Sequence, residues 1–186
     1  MGGVARRLGR DERRAARSGG PPMIRPETEP ELRLELRSNP LYLSGARELI
    51  SSLAKRLGFD DISCCQIALA VDEALSNIIR HGYDRRPDGR IWVSLWPRVG
   101  GDGRRSDDRT PAALTLVIED EAKQVDPEQI KGRELENVRP GGLGVHIMRE
   151  IMDEVRFEKR DGVGMRLTMH KTASGPGATQ GCGGCG

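Results

Sequence analysis

Aromatic residues are scarce: two Trp, two Tyr and two Phe make up 3% of the 186 residues. Aliphatic side chains must therefore build whatever core the chain forms. No uninterrupted run of 18 apolar residues occurs, so no segment reads as a membrane span. The N-terminus also lacks an apolar signal-like stretch, and together these absences predict a soluble, cytoplasmic protein without a membrane partner. A dominant charge sign is missing too. Thirty Lys and Arg against 28 Asp and Glu leave a net +2, too balanced to argue for direct nucleic-acid binding. A hydrophobic content of 36% in a chain of this length suits one domain with a single core.

Charge and glycine collect at the ends. Arg6, Arg7, Arg10, Arg13, Arg14 and Arg17 face only Asp11 and Glu12 before Gly19, Gly20, Pro21 and Pro22 intervene. That composition predicts a disordered basic arm over residues 1–30, either solvated or touching an acidic partner or nucleic acid, and leaves Met23 as an alternative start. Residues 173–186 read as a flexible Gly/Cys tail. Cys182 and Cys185 there form C-x-x-C, half of a zinc-ribbon-like site. Cys64 and Cys65 read as small core or near-core residues.

Between the ends, hydrophobic periodicity defines the elements. Residues 31–38 alternate with period 2 as a half-buried strand, and Asn39-Pro40 ends it. Residues 43–57 show helical spacing, with Leu49, Ile50, Leu53 and Leu57 on one side and Gly58 as the stop. Asp60 or Asp61 caps a second helix that runs to about Arg80. Strands follow at 90–98, with Ile91, Val93 and Leu95 opposite Trp92, Ser94 and Trp96, and at 113–119, as a hairpin around a polar turn. A third helix spans 143 to about 154, then strands at 155–159 and 164–169. This order predicts an α+β two-layer sandwich over residues 31–172, with helices on one face of a mixed sheet.

The second helix carries the most informative segment, VDEALSNIIRHGY at 71–83. Glu73 and Asn77 stand four residues apart and share one helix face, while Val71, Ala74, Leu75, Ile78 and Ile79 supply an apolar stripe. A carboxylate and a carboxamide at a cleft edge suit a general base and a hard metal ligand. Two later segments accompany it: DEAKQVDP at 120–127, which ends a strand, and GGLGVHIMREIMDEV at 141–155, which opens a helix on glycines whose free amides can hold phosphate oxygens.

Together these boxes resemble the GHKL ATPases, and specifically the bacterial anti-sigma-factor serine/threonine kinases. The resemblance implies a Bergerat-type sandwich that uses ATP and Mg. Glu73 would be the general base, Asn77 the Mg ligand, and Asp120 the acceptor for the adenine amino group. Gly142, Leu143 and Gly144 would line the phosphates. Residues 128–140 would be a lid, with Lys131, Arg133 and Arg139 within reach of phosphate. Ala122 stands where the family has glycine, Val125 where it has an aromatic, and Met165 follows Gly164 where relatives carry a threonine whose hydroxyl lies near phosphate. The implied activity is phosphoryl transfer to a Ser or Thr of a STAS-domain anti-anti-sigma protein by a homodimer that sequesters a sigma factor. A non-catalytic ATP-binding switch is the alternative. A sensor histidine kinase fragment would need a phosphoacceptor-histidine helix, and none precedes this domain.

Overall fold

The computed structural model describes residues 28–100, 111–130 and 143–173. The basic arm up to residue 27, the turn at 101–110, residues 131–142 and the tail with Cys182 and Cys185 lie outside the described residues. β1 (Leu32–Arg37) is followed by α1 (Leu43–Leu57), α2 (Asp61–Asn77), β2 (Arg90–Arg98) and β3 (Ala113–Asp120), then by α3 (Leu143–Ile151), β4 (Glu154–Lys159) and β5 (Met165–Thr172).

The strands form one sheet in the order β1-β2-β3-β5-β4. Every pairing among the described residues is antiparallel, where a mixed sheet was expected. Two helices separate β1 from β2, so the chain returns in the opposite direction. β3 and β4 do run parallel, but β5 lies between them and pairs with both.

Ile91, Val93, Leu95, Leu114, Leu116, Ile118, Leu167 and Met169 point from the sheet into the core beneath the helices. Trp92, Ser94 and Trp96 alternate onto the opposite face, as period 2 requires. Gly58 ends α1 in the left-handed conformation, φ 100°, with its amide on the carbonyls of Ala54 and Lys55. α1 buries Ala46, Ile50, Ala54 and Leu57, whereas Leu49 is 37% exposed, so the inward stripe runs one position round from the expected one. Asp60 caps α2 by accepting the Ser63 amide at 2.8 Å. α2 and the turn after it are long and apolar enough to cross a membrane by length and composition alone. Ile67, Ala70, Val71, Ala74 and Leu75 are instead buried in the core. Cys64 is buried there as well, while Cys65 is exposed, because adjacent helical positions point about 100° apart.

Candidate nucleotide-binding site

The C-terminal end of α2 forms one wall of the site. Glu73 and Asn77 are both half-buried, at its edge. Opposite them is Gly144, the second residue of α3. A Cβ added at Gly144 would stand 2.4 Å from Glu73 Oε2 and 3.3 Å from Asn77 Nδ2. Two sequence boxes 67 positions apart (144 minus 77) therefore meet with no room for a side chain between them. Leu143, which opens α3, is 60% exposed. Gly141, Gly142, Lys131, Arg133 and Arg139 lie outside the described residues.

The α-helix does not continue to Arg80 as its periodicity predicts. It gives way at Ile78–Gly82 to a π-helical turn, in which the Tyr83 amide reaches back five residues to the Ile78 carbonyl at 2.9 Å. Such wide turns occur often at functional sites. Here it delivers Tyr83, 3% exposed, into a latch. The phenol donates to the Arg90 carbonyl at 2.6 Å and accepts the Glu121 amide at 2.8 Å. Gly89 makes room for the ring, since a Cβ there would lie 2.4 to 2.5 Å from three of its carbons. His81 is exposed, and His146 is half-buried on α3. His170 lies on β5, with Nδ1 2.9 Å from Thr115 Oγ1.

Asp120 ends β3 and is 3% exposed. Its Oδ1 accepts two backbone amides, from Ala122 at 2.8 Å and Met165 at 3.2 Å. Burial raises its pKa above the usual aspartate value, against the opposing pull of those two amides. Met165 therefore lies beside Asp120. Gly164 precedes it with φ +85°, and a Cβ there would fall 1.8 Å from the Asp120 carbonyl oxygen.

Ala122 is accommodated without strain. It is absent from the described non-glycine residues with positive φ, which are Asp84 and Arg85. Its methyl is buried and abuts Gly82, where an added Cβ would come within 2.9 Å of it. Val125, in place of the family's aromatic, is 42% exposed.

Sequence reasoning missed the Tyr83 latch, the demand for Gly89, and Gln124, whose Nε2 donates to the carbonyls of Arg160 and Gly164 at 2.8 and 3.2 Å. A glycine between the polar residues Asp88 and Arg90 was the available signal for Gly89, and the two glycines of Asp161-Gly162-Val163-Gly164 for the turn at Gly164.

A helical layer over an antiparallel sheet, with a buried aspartate at the end of β3 and a carboxylate-carboxamide pair packed against Gly144 of α3, is the arrangement of a histidine kinase-like ATPase domain. The chain belongs to the histidine kinase-like ATPase domain family, whose model matches residues 36–171. Among curated proteins it is similar to the serine-protein kinase RsbW of Listeria monocytogenes serotype 4a (strain HCC23), 28% identical over 147 residues, covering 75% of this chain and 87% of the relative. It is also similar to the serine-protein kinase RsbW of Bacillus subtilis (strain 168), 25% identical over 147 residues, covering 75% of this chain and 84% of the relative. The fold is shared with a crystal structure of the RsbU and RsbW domains of Rv1364c from Mycobacterium tuberculosis. That match has a TM-score of 0.51 and 16% identity, and covers 80% of this chain and 34% of the other, so this chain spans about a third of that protein.

Proposed function

We propose that this protein is an ATP-dependent serine/threonine protein kinase. In this reading it is a soluble cytoplasmic anti-sigma factor, works as a homodimer, and phosphorylates a STAS-domain anti-anti-sigma partner. The observation that carries it is the approach of Gly144 to Glu73 and Asn77, which puts the start of α3 beside a carboxylate and a carboxamide.

Each residue then has a defined task. The acceptor hydroxyl oxygen attacks the γ-phosphorus and forms a new O–P bond as the bond to the bridging β,γ oxygen breaks and ADP leaves. Glu73 orients that hydroxyl and takes its proton. The amides at the start of α3 and the Gly142–Gly144 backbone stabilise the phosphate charge. Asn77 suits Mg, which keeps several waters and few protein ligands. Among the described residues no cluster of three or more His, Cys, Asp or Glu forms a closed cage, which fits a metal delivered with the nucleotide. When bound, Mg would neutralise negative charge on the nucleotide's phosphate oxygens.

At the other end, Asp120 recognises the adenine amino group. Two backbone amides pin Oδ1, so in Asp120→Asn the amide oxygen takes that place and the NH2 turns toward the adenine amino group, donor against donor. ATP affinity measured by calorimetry should fall about 10- to 150-fold, the worth of one charge-assisted hydrogen bond. The fold should not suffer. A carboxylate whose folded pKa lies above its unfolded value makes its ionised form a burden at neutral pH, relieved as pH falls toward the unfolded value, and a neutral isostere removes that burden. For the same reason, ATP binding by the unaltered protein should begin to weaken at a higher pH than an ordinary aspartate, with its pKa of 3.8, would give.

The direct test incubates the protein with Mg, γ-labelled ATP and a candidate STAS-domain antagonist, and reads label on the antagonist. Absence of ATP binding at millimolar nucleotide overturns the kinase reading. Binding without transfer to a cognate antagonist replaces it with the partner-switch alternative.

A further inference from the structure

Arg160 follows β4 and opens the turn to β5, outside every sequence box. Its main chain is fixed first: the amide donates to the Gly164 carbonyl at 3.1 Å, and its carbonyl accepts Gln124 Nε2 at 2.8 Å. Its guanidinium then reaches back across the sheet end. Nη1 donates to the Asp120 carbonyl at 2.6 Å, and Nε lies 3.4 Å from Glu119 Oε1. The guanidinium carbon stands 5.2 Å from the centroid of the Trp92 ring, and that of Arg90 stands 5.1 Å from the same ring. Trp92 is 8% exposed and pairs across the ladder with Glu119, so the ring is a fixed surface for the guanidinium.

One side chain thus grips the backbone of Asp120 while an aromatic ring and a carboxylate on the far face of the sheet hold the side chain itself. Oδ1 of Asp120 is set by amides; Arg160 sets the carbonyl of the same residue. We propose that Arg160 is a positioning residue for nucleobase recognition, held by Trp92 and Glu119 so that the Asp120 carboxylate meets a 6-amino purine in one orientation. The proposal rests on the nucleotide-binding reading of Asp120. Arg160 touches neither nucleotide nor acceptor; it acts through Asp120. A planar guanidinium that donates, pairs and stacks at once cannot be replaced without loss by an ammonium.

The test compares ATP with inosine triphosphate, which carries an oxo group where ATP has the amino group, in the full chain with Mg, by calorimetry. Arg160→Met, which keeps length and removes the donors, should lower the ATP preference over inosine triphosphate about tenfold, the scale of one charged hydrogen bond. Arg160→Lys should recover part of it. Inorganic tripolyphosphate, which has no base, should bind both variants as it binds the unaltered protein. A structural role alone would instead weaken all three ligands together. In a Trp96→Phe background, ATP should change Trp92 emission, and Arg160→Met should remove that change. A variant that keeps the full ATP preference overturns the assignment of Arg160 while leaving the ATP site intact. An unaltered protein with no preference between the two nucleotides overturns the role of Asp120 and the assignment together.

Discussion

Replacing Glu73 with alanine should lower phosphoryl transfer to the protein acceptor by about 10²- to 10⁴-fold, the range that a positioned general base contributes. Nucleotide affinity should stay close to that of the unaltered protein, because in the proposed arrangement Glu73 would face the reacting end while Asp120 would hold the other. The fold should be undisturbed as well. Glu73 is half-buried on a helix whose stability comes from Val71, Ala74 and Leu75, and alanine is the better helix former. Glu73→Gln, which keeps shape and loses the base, should be as slow in transfer. Gly144→Ala is the complementary lesion: its methyl would overlap Glu73 Oε2, the flexible end of a side chain, so the carboxylate moves while the fold persists. Single-turnover transfer beside calorimetric ATP binding separates these outcomes. Transfer at the unaltered rate by Glu73→Ala would falsify the assignment of Glu73 as base.

The second large effect belongs to stability. Gly164→Ala should destabilise the protein by roughly 2–5 kcal/mol, combining about 1–2 kcal/mol for a side chain at positive φ with about 1–3 kcal/mol for overlap with packed atoms. The φ is +85°, and the atom struck is the backbone carbonyl of Asp120, which cannot swing aside. For a domain of this size the melting temperature should fall by about 5–20 °C. Gly162 is the internal control. It has φ +87° but open space where a Cβ would go, so Gly162→Ala should cost only the backbone part. Equal losses at both positions would mean that the contact with Asp120 contributes nothing.

The two glycines also mark where local sequence information stops. Periodicity and caps place α1 at Leu43–Leu57 and β2 at Arg90–Arg98 with their expected bounds, because alternation and helical spacing are properties of neighbouring residues. The end of α2 escapes that logic. Its π turn accompanies a phenol latched to Glu121, 38 residues away. The second amide on Asp120 comes from 45 residues downstream, again beyond any local window. Ala122 reads as a liability when glycine is the expected residue, yet the backbone there needs no positive φ and Gly82 leaves space for the methyl. Glu73, Asn77 and Asp120 could be picked out as candidates because their motifs are short and ordered along the chain. Arg160 was not, because nothing near it in sequence indicates which carbonyl it reaches.

The sheet order has a consequence for the way the molecule is made. β5 is the final described strand to leave the ribosome, yet it occupies an interior slot between β3 and β4. Until β5 emerges, β3 has an unpaired edge and Asp120 lacks the Met165 amide. A nascent chain with α2 already in place therefore still lacks one of the two amides that fix the Asp120 carboxylate. On the proposed reading of Asp120 as the nucleobase acceptor, competence for ATP would arrive only when β5 is inserted.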